Sequence, residues 1–337
     1  MTRIKMKAKV EQLTYTKNSF IGSDKELQNI THLDCSRCKL TSLEGLNAPK
    51  LIKLVCSDNQ LKSLAGLNAP NLIELDCSKQ RNSKYNLSSL DGLNAPKLIK
   101  LNCAGHELTS LKGLDFPNLI ELNCSKNKLT TLKGLNAPNL SVLICYNNRL
   151  TTFRKLSFPN LTELYCNDNL LSDLGGINEF PLTTLCCYRN RLTSLDDLNN
   201  SCFLIHLTHL NCSTNQLITL GELNAPNLTT LICSGNQLTS LEKLNAPSLT
   251  KFKCSKNILT SLSSLTAPQL LELDFSQNQL TSLTELHFRN LTDLDCSHNK
   301  LTSLNLLNFP NLTRLLCYGN DIEYIPLHIT CIIPHSH

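Results

Sequence analysis

LTTLICSGNQLTSLEKLNAPS, residues Leu228 to Ser248, is one complete unit of a pattern that runs through nearly the whole chain. Its frame is L-x-x-L-x-C-S-x-N-x-L-T-S-L-x-x-L-N-A-P-x. Working outward from Cys233, the same place is held by Cys35, Cys56, Cys77, Cys103, Cys124, Cys145, Cys166, Cys187, Cys212, Cys254, Phe275, Cys296 and Cys317. The steps are 21 residues except for one of 26 and one of 25, so fourteen copies of the unit carry two small insertions. A fixed period of this length builds a solenoid, in which each unit buries its apolar face against its neighbours. Such an array grows without a second core, so the 337 residues are expected to form one repeat body. It excludes most enzyme folds.

Composition narrows the function classes further. There are 32 basic and 27 acidic residues, a net charge of +5, and four of the basic ones are Arg3, Lys5, Lys7 and Lys9. The remainder is nearly balanced, which argues against a broad basic face for nucleic acid. No apolar run reaches the roughly 18 residues of a membrane span. The opening MTRIKMKAKVEQLTYT lacks the continuous apolar core of a signal peptide. Thirteen of the seventeen cysteines occupy the repeat position, where reduced cysteine serves as a small buried hydrophobe. Neighbouring ladder cysteines are expected about 4.8 Å apart across a parallel sheet, a separation that permits oxidation. That hazard favours a reducing compartment, so a cytoplasmic location is expected, the cytoplasm of a host cell included.

The first eleven positions of the unit match the signature L-x-x-L-x-L-x-x-N/C-x-L with Cys in place of the third Leu, and the chain therefore resembles the leucine-rich repeat family over residues 30–325. The 21-residue length is similar to internalin-type repeats and to those of a phosphatase-1 regulatory subunit. The C-S-x-N…L-N-A-P style resembles repeat proteins of large DNA viruses and amoeba-associated microbes. The resemblance implies an α/β-type repeat solenoid, mostly parallel β and right-handed, with a strand around L-x-C. It also implies that Leu228, Leu231, Cys233, Leu238, Leu241 and Leu244 point inward, each contributing about 1.5–3 kcal/mol. Asn236 is expected to turn the chain out of the strand, its amide satisfying backbone groups of the turn and the next coil. Eleven units carry this Asn, whereas Cys38, Gln80 and His106 replace it in units one, three and four. Gln80 and His106 depart from the family pattern and predict looser early turns. Ten units place Pro at a fixed point of the outer half, from Pro49 to Pro310. Proline removes a donor and disfavours helix before it, so the convex side is expected to be turns or short 3-10 pieces.

Ends and insertions follow from the same frame. Residues 1–29 are expected to cap the solenoid as a hairpin-like element, because Ile4, Met6, Ala8 and Val10 alternate with Arg3, Lys5, Lys7 and Lys9. A basic membrane or RNA anchor is the alternative. Residues 326–337 read as a cap or tail, bearing His328, His335 and His337 without metal-ligand spacing. The insertions near residues 81–86 and 199–206 are expected on opposite rims, as partner-facing loops or as ordinary tolerated length.

Strand alternation exposes the residues three before, one before and one after each ladder cysteine. Most units show small or charged side chains there. Units six to eight instead present Val142, Ile144, Tyr146, Tyr165, Cys186 and Tyr188, with Asp168 and Arg189 as a polar rim. Aromatic anchors of this kind mark binding surfaces, so these eight residues are the expected partner site, against ordinary drift of an unselected sheet face. A secondary acidic patch, Glu272, Asp274, Asp293 and Asp295, lies between Lys251, Lys253 and Arg314 and would steer a basic peptide; a solvated face is the simpler reading.

No set of acid, base and nucleophile stands out, and neither a cofactor nor a metal site is expected. Cys35-Ser-Arg-Cys38 is a C-x-x-C whose members fall on structural repeat positions. Cys186 is the best candidate for a reactive thiol. The N-L-T tripeptides at Asn160, Asn227, Asn290 and Asn311 are formal glycosylation sequons that arise from the repeat itself. The expected function is a monomeric, non-catalytic scaffold that holds a protein partner on the concave parallel sheet, with no nucleic acid and no membrane. Regulation of a target enzyme and surface adhesion in internalin style are the alternatives.

Overall fold

A computed structural model describes residues 27–79, 86–199, 204–283, 286–304, 309–323 and 330–331. The expected N-terminal cap and C-terminal tail lie almost wholly outside these residues, as do Gln80 and most of both insertions. The chain divides into two compact units, residues 1–165 and 166–337.

In the first unit each repeat contributes one three-residue strand, from β1 (His32–Asp34) through β2 (Lys53–Val55), β3 (Glu74–Asp76), β4 (Lys100–Asn102), β5 (Glu121–Asn123) and β6 (Val142–Ile144) to β7 (Glu163–Tyr165). Consecutive strands pair in parallel with one full unit between partners, as Lys53↔Glu74 and Val142↔Glu163. The first insertion is absorbed without a register slip, since Glu74 faces Lys100. The second unit runs in the same way from β8 (Thr184–Cys186) and β9 (His209–Asn211) through β12 (Glu272–Asp274) and β13 (Asp293–Asp295) to β14 (Arg314–Leu316), with a two-residue β15 (Thr330–Cys331) beside it. Stacked parallel strands joined by non-helical returns form the repeat solenoid that the period predicts. The central leucine of each strand and the following cysteine are buried, whereas the residues on either side of that leucine are open to solvent.

The core is layered because the sequence is. Leu228, Leu231, Cys233, Leu238 and Leu241 are at most 1% exposed. Leu244 closes the same layer. The residue before the repeated proline is a small Ala, as at Ala225, Ala246 and Ala267, or a Phe, as at Phe116, Phe158 and Phe309; Phe288 holds the same place before Arg289, and all of these are buried. Phe288 and Phe309 stack at 6.5 Å between ring centroids.

The outer half is turn throughout most units, as proline predicts. Helical geometry enters where the A-P step is missing: a 3-10 turn at Ile177–Glu179, an α-helical turn at Asp196–Asn199 and a 3-10 turn at Leu204–His206. No helix among the described residues is long and apolar enough to cross a membrane.

Most coils leave their strand through a residue in the left-handed region, two positions after the ladder cysteine. Gly235 takes φ 68°, but Lys126, Asp168, Arg189, Thr214 and His298 take φ of 52–55° with side chains attached. The conformation is held by the next coil, whose carbonyl accepts the N–H of the turn residue, as Lys126 to Tyr146 at 2.8 Å.

Asn236 binds the turn as expected, with one correction: its long-range partners belong to the preceding coil. Its Nδ2 donates to the carbonyls of Cys212 at 3.1 Å and Cys233 at 2.9 Å, and its Oδ1 accepts from Leu217 N–H at 3.1 Å. Asn59, Asn127, Asn148, Asn257, Asn278 and Asn299 repeat the arrangement. Where consecutive coils both carry this Asn, the buried carbonyl at the strand end thus accepts two asparagine amides, one from its own coil and one from the next, as Cys212 does from Asn215 and Asn236. At His106 the looser turn predicted from sequence is not found, because the ring makes equivalent bonds on both sides.

Candidate functional site

The strands expose three rows of side chains, and the last two strands of the first unit differ from those before them. Over β2 to β5 the first row alternates in sign, and Lys53–Glu74 and Lys100–Glu121 form ion pairs, the latter at 2.9 Å. The hydrogen bond from Lys53 holds the Glu74 carboxyl below its usual range, and the bond to Glu121 raises Lys100. These charges neutralise each other in place. At β6 the alternation of charge stops: Val142 pairs in register with Glu163 in the first row, and the second row turns apolar and aromatic, with Ile144 facing Tyr165. All four are half-buried. The Tyr165 hydroxyl donates to Glu163 Oε2 at 2.9 Å, fixing the ring over the strand. Tyr146 leans toward the preceding coil, where Lys126 Nζ lies 5.5 Å from its ring centroid. Ser125, at the equivalent position of that coil, is 1% exposed while most other serines of the row are half-buried. The first unit thus brings Val142, Ile144, Tyr146 and Tyr165 onto one face, with a cation–π contact already engaging one ring.

In the second unit Asp168, Tyr188 and Arg189 come together. The N–H of Asp168 donates to the carbonyl of Tyr188 at 3.0 Å, and Arg189 Nη1 lies 3.5 Å from Asp168 Oδ1. Asn167, buried in the core of this group, donates its amide to Asp168 at 2.8 Å. Cys186 sits in register with Asn211, half-buried, and burial raises its thiol pKa. A raised thiol is a poor nucleophile at neutral pH, which weakens the reading of Cys186 as reactive.

The acidic patch is assembled and internally compensated. Glu272 faces Asp293 and Asp274 faces Asp295 across β12 and β13. Lys251 reaches Glu272 at 2.6 Å and Arg314 reaches Asp293 at 3.8 Å. Asp274 and Asp295 each accept the backbone N–H and the hydroxyl of the serine two residues on, Ser276 and Ser297.

The two cysteines of the C-x-x-C sit in different environments. Cys35 is fully buried, with desolvation first among the causes that raise its pKa, while the Cys38 thiol donates to the Ser36 carbonyl at 3.4 Å. The sequon asparagines have structural work: Asn160, Asn227, Asn290 and Asn311 each donate their amide to a carbonyl of the preceding coil at 2.7–3.0 Å. This second asparagine ladder was not read from the sequence, although the recurring P-N-L carried its signal. Also missed was the edge-to-face pair of His298 and Tyr318, 4.9 Å between centroids. Tyr318 occupies the same repeat position as Tyr146 and Tyr188, so aromatic residues at that position were the available clue.

Comparison with known proteins agrees with this geometry. The two-copy leucine-rich repeat family matches residues 138–179. The chain is similar to the functional domain of InlJ from Listeria monocytogenes, described as including a cysteine ladder, with 29% identity over 89% of this chain and 66% of that one, TM-score 0.73. It therefore spans just under two thirds of that domain's length. It is also similar to YopM, described as a leucine-rich effector protein from Yersinia pestis, with 27% identity over 97% of this chain and 91% of that one, TM-score 0.68. An internalin, InlF from Listeria monocytogenes, has the same fold at 21% identity, covering 91% of this chain and 87% of that one, TM-score 0.73. No curated protein matches the chain.

Proposed function

We propose that this chain, a leucine-rich repeat protein, is a non-catalytic scaffold that binds a segment of a protein partner on the exposed face of its parallel strands. Solenoids of this class are typically protein-interaction surfaces. The observation that carries the proposal is the change of the strand face at β6 and β7, from self-paired charges to Val142, Ile144, Tyr146 and Tyr165. Half-buried aromatic and aliphatic side chains on a rigid ladder lose little conformational entropy on binding and supply the desolvated centre of an interface. Tyr188, Arg189, Asp168 and Cys186 are a separate candidate group on the strand face of the second unit. The acidic set Glu272, Asp274, Asp293 and Asp295 is a secondary surface for a basic segment. The protein works as a monomer in the cytoplasm, where a reducing pool keeps the cysteine ladder in the thiol form.

Similarity to a leucine-rich effector protein favours a second reading, in which the same face delivers the scaffold to an enzyme and alters its rate. Capture of partners under reducing conditions, followed by assay of the captured protein with and without added scaffold, separates the two. An unchanged rate leaves a passive scaffold; a changed rate makes it a regulator. Recovery of the native protein with ladder cysteines oxidised would contradict the cytoplasmic assignment and favour an exported adhesion protein.

A further inference from the structure

The first residue after the opening leucine of each unit forms a row beside the strands. Nine of the fourteen described rungs hold Thr or Ser: Thr31, Ser141 and Thr162 in the first unit, and Thr183, Thr208, Thr229, Thr250, Thr292 and Thr313 in the second, where Leu271 stands alone as an apolar exception. The threonine hydroxyls donate to the carbonyl of the preceding rung, as Thr229 to Thr208 at 3.1 Å and Thr250 to Thr229 at 3.2 Å. Four consecutive rungs of the first unit break the rule with Ile52, Ile73, Ile99 and Ile120. Their backbone ladder is the same, with N–H to carbonyl distances of 2.7–2.9 Å against 2.9 Å at Thr229. The fold therefore does not require isoleucine here. Ile52 and Ile120 are nonetheless 36% and 44% exposed, in a row that could have been polar throughout. A contiguous apolar ladder maintained in water marks a contact surface.

Its surroundings state the chemistry of the occupant. A shallow groove of about 680 Å3 runs along Ile73, Ile99 and Ile120, bordered by Lys97, Asn118 and Asn139. Lys50 and Lys97 stand two residues before Ile52 and Ile99 and bond only to neutral amides, Asn29 at 2.9 Å and Asn71 at 2.7 Å. Neither ammonium pairs with a carboxylate among the described residues, whereas Lys53 and Lys100 on the strand face both do. The ladder is thus apolar with an uncompensated positive border. Four rungs about 4.8 Å apart span roughly 14 Å, the length of four or five extended residues. A surface this short is small beside the roughly 800 Å2 per partner of a stable dimer, which favours a short segment over a second copy as the occupant.

We propose that the Ile52–Ile73–Ile99–Ile120 ladder binds a short extended peptide segment of alternating acidic and aliphatic residues, with its carboxylates on Lys50 and Lys97. This surface is separate from the strand face proposed above and does not depend on it. The test is isoleucine-methyl NMR of the full chain with two synthetic hexapeptides, one alternating glutamate and leucine, the other lysine and leucine. The first is expected to shift the methyl signals of these four residues, and the second is not. The variant Ile52→Thr/Ile73→Thr/Ile99→Thr/Ile120→Thr installs the residue used at the other rungs and so keeps the fold; it should bind the acidic peptide at least about tenfold more weakly, given the apolar area removed. Lys50→Gln/Lys97→Gln should weaken binding and reduce its salt dependence. No shift at millimolar peptide, equal shifts by both peptides, or unchanged affinity of the threonine variant would overturn the proposal. So would sedimentation showing a dimer that the threonine variant loses, which would assign the ladder to a second copy.

Discussion

Nε2 of His106 donates to the carbonyl oxygen of Cys77 at 2.7 Å, and Nδ1 of the same ring accepts the N–H of Leu87 at 3.3 Å. The Leu87 amide can only donate, so the ring is neutral with its proton on Nε2. The imidazole thereby performs the two-sided task that Asn236 performs elsewhere. Burial, with a smaller push from Lys79, holds the His106 pKa below its ordinary value despite the bond to Cys77. As pH falls, the unfolded chain takes up this proton near pH 6.5, before the folded one does. The folded state therefore loses stability as pH drops from about 6.5 toward the lower folded pKa. Urea midpoints at pH 7.5 and 5.5 should fall for the native chain and fall less for His106→Asn. An identical pH dependence in the two proteins would contradict the assigned proton.

The turn asparagines should dominate the polar stability of the coils. Asn236→Ala leaves the buried N–H of Leu217 without its side-chain partner and removes one of two asparagine donors from the carbonyls of Cys212 and Cys233, which Asn215 and Asn257 still reach. At roughly 1–3 kcal/mol for one unsatisfied buried group, with a smaller part for the two weakened carbonyls, a loss of about 2–3 kcal/mol is expected. Asn227→Ala, which removes one exposed bond to the Ile205 carbonyl, should cost at most about 1 kcal/mol. Equal losses in denaturant unfolding would show that the two ladders do not differ as described.

Thr214 is β-branched and sits at φ 52°. Other coils use Gly235 and Gly105 at the equivalent place. Thr214→Gly should therefore raise stability, by about 1 kcal/mol, visible as a higher Tm. A lower Tm would mean that the threonine side chain contributes more than its backbone strain costs.

The thiol ladder makes an alkaline prediction. Burial raises the cysteine pKa values along the ladder, to about 12 at Cys124 and Cys212. The unfolded chain loses these protons near pH 8.5 while the folded chain keeps them, so stability is intact below that pH and declines as pH rises above it. Native protein at pH 8 should react slowly with a thiol reagent at its ladder cysteines, and all seventeen should react after unfolding. Rapid modification of Cys124 or Cys212 in the folded protein would contradict their burial.

Much of the fold was legible because one position carries one duty in every unit. The cysteine ladder, the leucine layers and the asparagine turns each follow from a residue type recurring at a fixed step, and Pro49 to Pro310 correctly predict an outer half without long helices. The direction of the asparagine bonds was not legible, since a periodic sequence is symmetric to whether a side chain reaches forward or back. His106 was misjudged because its substitution for Asn looks non-conservative as a letter, yet its two ring nitrogens span the same donor and acceptor. At the candidate site the sequence indicated which side chains share a face but not what already engages them. Lys126 over Tyr146, and Ser276 and Ser297 on Asp274 and Asp295, are contacts between or within coils that single-position reading cannot supply.

The most direct test of the scaffold reading compares the native chain with two folded variants, Tyr146→Ala/Tyr165→Ala and Tyr188→Ala/Arg189→Ala, as bait for partners under reducing conditions, followed by measured affinity for each partner recovered. The account predicts a partner whose affinity falls at least about tenfold with the first variant, as expected for loss of aromatic anchors. Unchanged affinity of every partner for both variants would contradict the assignment of binding to this face.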